Sequence, residues 1–121
     1  MRTLPRIECC LTFLAKGEGG RNFPLPPGAL SGNTYRPHLV IGDPGQRHGI
    51  IADGNRGIEE YIGIAFHDGP EIADVSTEMV VELTLIYFPH PMYEQLKPGI
   101  TFTVREGPKI VGYGTVRRWL K

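Results

Sequence analysis

Apolar and polar residues alternate with a period of two in several short stretches of this chain. Such alternation is typical of strands with one buried and one exposed face. The pattern predicts six strands, over residues 7–13, 35–41, 60–66, 77–88, 100–105 and 110–120. A further short strand is possible around Ile50 and Ile51. No stretch of ten or more residues keeps the helical period of 3.6, and a short helical turn is expected only within residues 73–80.

Glycine and proline separate these apolar stretches. The chain contains 16 glycines and 11 prolines, and they cluster between the predicted strands. Residues 16–22 are predicted to form a loop. Residues 23–32 hold three prolines and two glycines, which excludes a hydrogen-bonded ladder and indicates a rigid extended arm or a series of turns. Short strands separated by turn residues predict an all-β fold, a small barrel or sandwich.

Two glycines in the last predicted strand, Gly112 and Gly114, fall on the same face. A strand without side chains at two successive positions of one face either bends sharply or lies very close to a neighbour. We therefore expect either close backbone packing or a sharp bend at this point.

Length and charge limit the class of protein. A chain of 121 residues is expected to form one domain over residues 1–121. Thirteen basic and thirteen acidic residues give zero net charge, which argues against a surface that binds nucleic acid all over. No apolar run approaches the roughly 20 residues of a membrane span, and the first residues show no secretory signal. We expect a cytoplasmic protein with no membrane partner.

The two cysteines, Cys9 and Cys10, are adjacent on a predicted strand. Neighbouring side chains on a strand point to opposite faces, so a disulfide between them is not expected. Two thiols are also too few for a four-cysteine zinc site.

Catalytic chemistry has little support in the residue pattern. His67-Asp68 stands before a Gly69-Pro70 turn and is interpreted as part of that turn. Neither serine lies in a G-x-S-x-G motif. The histidines show no metal-ligand spacing; they are His38, His48, His67 and His90. We expect a non-enzyme that holds no metal and no cofactor.

Two segments carry weaker binding signals. Pro24-Leu25-Pro26-Pro27 could be a polyproline ligand, although a stiff loop across one end of the barrel is favoured. At the other end of the chain, Arg117, Arg118 and Lys121 surround Trp119, a combination that can contact a phosphate backbone. A solvated terminus with the tryptophan closing the barrel is favoured there.

Several motifs carry a family resemblance. They are, in order, Glu18-Gly19-Gly20-Arg21, Tyr35-Arg36-Pro37, Leu85-Ile86, Val104-Arg105-Glu106-Gly107 and Val111-Gly112-x-Gly114-x-Val116. From about residue 7 to the end, the chain resembles the C-terminal barrel domain, domain 3, of translation elongation factor Tu. This resemblance implies a six-stranded antiparallel Greek-key barrel. The segments 42–78 and 24–33 are longer than in the family.

The resemblance also implies where partners would bind. The family's domain packs against companion domains and contacts the T stem of aminoacyl-tRNA. Carried over by motif, the RNA-contact candidates are Arg21, Arg36, His38, Glu106 and Gly107, to which Arg117 is added from the basic C-terminal tip. The chain has no G-x-x-x-x-G-K-[ST] motif, so no nucleotide is expected to bind.

Two functions follow as hypotheses. The first is a non-catalytic module for protein–protein interaction or self-association, because a barrel taken from such a context exposes apolar surface. The alternative is binding of RNA, with tRNA as the target, linked to translation. Zero net charge weakens this alternative, because backbone contacts to RNA depend on lysine and arginine.

Overall fold

Seven antiparallel strands and two 3-10 helices make up the computed structural model, which describes residues 3–48 and 59–120. The strands are β1 (Arg6–Phe13), β2 (His38–Ile41), β3 (Ile62–Gly63), β4 (Ala65–Asp68), β5 (Met79–Thr84), β6 (Thr101–Glu106) and β7 (Lys109–Leu120). The 3-10 helices are Lys16–Glu18 and Pro91–Gln95. Within these residues no helix is long and apolar enough to cross a membrane.

The sheet closes on itself. Its strand order is β3-β2-β6-β7-β1-β5-β4, and the two end strands are separated along the chain by Ile64 alone. One extended segment, residues 62–68, therefore pairs with β2 on one side and β5 on the other. A backbone hydrogen bond of 3.0 Å from Phe66 N to Tyr35 O extends the contact with the chain before β2.

The topology is that of a Greek key. β2, the segment 62–68 and β5 are three successive neighbours in the sheet, and β5 then lies beside β1. A long connection joins β1 back to β2 around the end of the barrel. The predicted all-β class, with six to seven antiparallel strands in a small Greek-key barrel, is confirmed.

The predicted alternation places the expected side chains inside. Ile62, Ile64 and Phe66 are fully buried, as are Ile7 and Cys9 of β1. Cys10, which points the other way, is half-buried, and both thiols are free. The period of two thus identified the inward face of β1, whereas residues 62–66 are buried at every position.

The two glycines of β7 lie against the backbone of β1. A Cβ atom on Gly114 would stand 2.3 Å from the carbonyl oxygen of Cys10, and one on Gly112 would stand 2.7 Å from that of Thr12. No side chain fits at these distances, so close packing is the one of the two alternatives that the structure supports. This close packing lies between β1 and β7, the two strands that share the longest run of paired residues in the sheet.

A buried ion pair fixes the chain that precedes β3. The guanidinium of Arg105 on β6 is fully buried and binds both carboxylate oxygens of Glu59, at 2.8 and 2.9 Å. Its Nε donates to Thr103 at 2.9 Å, and its Cζ lies 5.6 Å from the centre of the Tyr61 ring. The bidentate geometry attaches residues 59–61 to β6. These residues lie immediately before residues 62–68, the segment that closes the barrel.

Some predicted boundaries were wrong. The strand expected over 77–88 ends at Thr84, because the chain turns there and Phe88 N bonds back to Leu85 O at 3.1 Å. The strand expected over 60–66 is divided at Ile64, where the chain changes partner. The strand expected over 35–41 begins at His38.

The helical turn expected within residues 73–80 is also wrong. This segment is extended and bent, with an isolated parallel bridge between Val75 and Phe13. Ser76 N donates to Phe13 O at 2.8 Å, so the end of β1 supplies the hydrogen bond that a helix would have made internally. The short strand expected around Ile50 and Ile51 lies outside the described residues.

Substitution of Gly114 by alanine tests the close packing of β1 and β7. We expect Gly114→Ala to lower the free energy of unfolding by about 3 kcal/mol, because the new methyl group meets backbone that cannot move independently. Gly17→Ala is the control, since a Cβ there meets nothing within 4 Å. Urea unfolding of the two variants measures the difference. If Gly114→Ala and Gly17→Ala unfolded with equal free energies, β1 and β7 would be able to move apart at little cost, and the prediction would be wrong.

Neutralising Glu59 tests the buried ion pair. We expect Glu59→Gln to destabilise the fold by about 3 kcal/mol, because Arg105 would keep its charge in a buried site without a counter-charge. Glu60→Gln is the matched control, since the exposed Glu60 accepts from Gln95 at 2.7 Å and a glutamine can still accept. Thermal and urea unfolding at neutral pH measure both. A loss no greater than that of the control would contradict the prediction.

Candidate functional site

An apolar groove of about 270 Å³ opens at the end of the barrel where β1 finishes and β7 begins. Phe13, Leu14 and Val111 form its floor. One side, here called the arm wall, consists of Lys16 and residues 21–25. A further part of the lining, here called the linker wall, consists of Ala73 and Val75 in the connection between β4 and β5.

Exposed apolar side chains are concentrated at this groove. Phe23 of the arm wall is 77% exposed and Val75 of the linker wall is 48% exposed. Ile72, beside the linker wall, is 52% exposed. These are three of the seven large apolar side chains exposed in the described part of the chain. A clustered apolar patch on a small protein is characteristic of an interaction site.

Local sequence explains why Phe23 stays outside the core. Pro24 follows it and restricts the backbone there, and the chain turns after Pro26, where Ala29 N donates to Pro26 O at 3.1 Å. Leu25 points inward and packs against the core cluster, so its neighbours face outward. In the structure this segment is a loop across one end of the barrel. That is the alternative that the sequence favoured over a polyproline ligand.

A three-residue cluster holds the arm against the turn between β6 and β7. Glu106 accepts hydrogen bonds at the same carboxylate oxygen from the Arg21 guanidinium and from the Tyr35 hydroxyl, the latter at 2.6 Å. The Tyr35 ring stacks on Phe66 with centroids 5.2 Å apart. Burial, with the adjoining Glu106 carboxylate, raises the pKa of Tyr35 far above its ordinary value. The cluster connects the arm wall to the core.

The structure brings together three of the six RNA-contact candidates. Arg21 and Glu106 are paired, and Gly107 forms the adjoining turn with a φ of 58°. Arg36 is exposed, and its Nε donates to Asn33 O at 2.9 Å. His38 lies on β2 against the Tyr61 ring, with centroids 5.8 Å apart.

The sixth candidate, Arg117, lies at the other end of β7. Its Nε is 4.0 Å from Glu8, and Arg118 binds the same carboxylate oxygen at 2.8 Å. The hydrogen bond from Arg118 lowers the pKa of Glu8. Trp119 donates from its ring nitrogen to Leu96 O at 2.6 Å, and Lys121 lies outside the described residues. The candidates therefore do not form one continuous surface.

The chemical groups near the groove provide contact surface and charge. Ser76 donates to Glu18 at 3.4 Å, and Glu18 also accepts from Ala15 N at 3.1 Å.

Burial raises the pKa of the Cys9 thiol well above its ordinary value. In residues 3–48 and 59–120, no group of three or more histidine, cysteine, aspartate or glutamate side chains could hold a metal ion.

Sequence reasoning did not find the groove. Its floor and two walls come from four separate parts of the chain, and no spacing within one segment reveals their contact. The available signal was Phe23, a large apolar residue in a stretch predicted to be an extended arm. Comparisons of this chain with known protein-family models and with curated proteins found no match.

Removing the Tyr35 hydroxyl tests the cluster through the pH dependence of stability. The pKa of Tyr35 is raised above the ordinary value near 10, so the folded state keeps a proton that the unfolded chain releases. The contribution of Tyr35 to the free energy of unfolding is therefore complete below about pH 10. It is lost as the pH rises further, at roughly 1.4 kcal/mol per pH unit.

We expect Tyr35→Phe to reduce this alkaline loss of stability, measured by urea unfolding between about pH 9 and pH 11. Some slope should remain, because burial also raises the pKa of the Cys9 thiol and of Tyr93. At neutral pH the variant should lose about 1 kcal/mol with the hydrogen bond to Glu106. An alkaline slope identical to that of the parent protein would contradict the assignment.

Proposed function

We propose that this chain is a non-catalytic protein-binding module, of the kind represented by domain 3 of elongation factor Tu, and that it binds through the groove. The observation that carries the proposal is the concentration of exposed apolar side chains around an apolar depression, with Phe23 most exposed of all. Water contact with these groups is unfavourable and is relieved when a partner covers them.

The groove is large enough to hold a side chain of a partner protein. Its volume of about 270 Å³ exceeds that of any one amino-acid side chain, and its floor is part of the barrel core. Full burial of one large apolar side chain contributes roughly 1.5–3 kcal/mol. Phe23 and Val75, which both line the groove, therefore supply enough apolar contact for a central anchor surrounded by polar groups.

The RNA-binding alternative has weaker support. Two of the arginines that it would use or recruit, Arg21 and Arg118, are already bound to carboxylates. A phosphate would have to compete with Glu106 and Glu8 for them. Arg36 is the exposed candidate on which this alternative depends most.

Photocrosslinking from the groove tests the proposal. A benzophenone amino acid in place of Phe23 should form discrete protein adducts in the source cells that survive ribonuclease. We expect Val75→Gln to reduce these adducts roughly tenfold, as loss of about 1.4 kcal/mol of apolar contact would. Val80→Gln is the matched control, because Val80 is 46% exposed on β5 and does not line the groove.

The outcomes separate the two functions. Adducts unaffected by Val75→Gln, or no protein adducts at all, would contradict binding at the groove. Adducts that disappear with ribonuclease and with Arg36→Glu would favour RNA instead.

A further inference from the structure

We propose that a polar pocket at the start of β1 binds a small organic acid through its carboxylate. The pocket has a volume of about 350 Å³, and six residues line it, namely Thr3, Leu4, Arg6, Asn33, His67 and Thr84. Arg6 begins β1, whereas the groove lies where β1 ends. This second site is therefore independent of the proposed function.

Asn33 is held in an unusual backbone conformation at this pocket. Its φ of 62° lies in the left-handed region, where only one other non-glycine residue of the described chain, Ser76, is found. Two hydrogen bonds fix the backbone: Asn33 N donates to Phe66 O at 2.9 Å, and Asn33 O accepts from Arg36 Nε at 2.9 Å. A non-glycine residue kept in this region by its surroundings marks a candidate functional position.

The side chain of Asn33 is fixed as well. Its Oδ1 accepts from the Thr84 hydroxyl at 2.8 Å, and Thr84 is only 5% exposed. This bond occupies the acceptor of the amide, and the amide nitrogen keeps both of its hydrogens for another partner. Within residues 3–48 and 59–120, that nitrogen donates to no protein group.

Arg6 supplies a second donor with unused capacity. Its Nη1 donates to one carboxylate oxygen of Glu82 at 2.6 Å. Its Nε and Nη2 form no hydrogen bond to the described part of the chain. The guanidinium edge that carries Nε and Nη2 presents two parallel N–H groups, which match the two oxygens of a carboxylate.

The other lining residues leave room for the body of a ligand. His67 lies on β4, and its ring has no hydrogen bond within the ranges that the structure describes. Leu4 adds an apolar surface. A volume of about 350 Å³ is larger than a carboxylate needs, so a short carbon chain attached to that carboxylate can lie against Leu4.

Nearby acidic groups limit the charge that the ligand can carry. Glu82 keeps its negative charge while it binds Arg6, and Asp68 pairs with Glu82 across β4 and β5. None of the six described lining residues is acidic, and the cation of Arg36 adjoins Asn33. The charges around the pocket are therefore balanced. This favours a singly charged carboxylate over a doubly charged phosphate, which the two acidic groups would repel more strongly.

NMR titration of the isotopically labelled chain with butyrate tests the site. We expect butyrate to shift the backbone amide signals of Leu4, His67 and Thr84, with a dissociation constant in the millimolar range. Inorganic phosphate at the same ionic strength should bind at these residues roughly tenfold more weakly, because of its higher charge. Sodium chloride provides the reference for ionic strength.

Substitution of Asn33 separates the role of its amide from that of its backbone. Asn33→Gly removes the amide and keeps the conformation, because glycine adopts a positive φ freely. We expect the dissociation constant for butyrate to rise roughly tenfold. Ser76→Gly is the matched control, since Ser76 has a φ of 59° and does not line the pocket.

Substitution of Arg6 tests the charged donor. We expect Arg6→Gln to weaken butyrate binding roughly tenfold or more, because the bidentate contact is lost. Lys16→Gln makes the same change of charge beyond the opposite end of β1, where Lys16 is exposed, and should leave binding unchanged. Urea unfolding verifies that all four variants fold.

Each outcome bears on a separate part of the proposal. If butyrate shifted no signals at the pocket, or bound Asn33→Gly and Arg6→Gln as tightly as the parent chain, there would be no such site. Phosphate binding as tight as that of butyrate would overturn the assignment to a carboxylate. Weakening in Asn33→Gly and Arg6→Gln, with neither control affected, would support it.

Discussion

Closure of the barrel depends on one segment of chain that has a different strand on each side. Residues 62–68 pair with β2 through their first half and with β5 through their second, and the change occurs at Ile64. Because each half of this segment pairs with a different neighbour, the two ends of the sheet are joined by continuous chain and its unpaired edges are short.

The charged groups of this protein divide into those that stabilise the fold and those that remain at the surface. Arg105 and Glu59 form a buried bidentate pair that positions the entry to the closing segment. Arg21 and Glu106 anchor the arm, and this pair lets the arm present Phe23 without detaching from the barrel. Lys16 and Asp74 are exposed at the surface.

Motif reasoning named one residue that lines the groove, Arg21, and named it as an RNA contact. It singled out Arg21, Glu106 and Gly107 from separate positions along the chain, and the structure places them together. It did not reveal that Tyr35 completes the cluster through a hydroxyl bond of 2.6 Å to Glu106. Nor did it show that the apolar groove lies beside this cluster, because contacts between distant segments leave no periodic signal in a sequence.

The sequence by itself determined the strands and their inward faces, because a period of two assigns each side chain to one side of a sheet. It also determined the closest strand contact, since Gly112 and Gly114 are needed wherever two backbones approach this closely. Only the tertiary structure decided where strands end, which segment closes the barrel and which charges are buried. Those outcomes depend on hydrogen bonds between residues far apart in the chain, such as Ser76 to Phe13, and these override local preference.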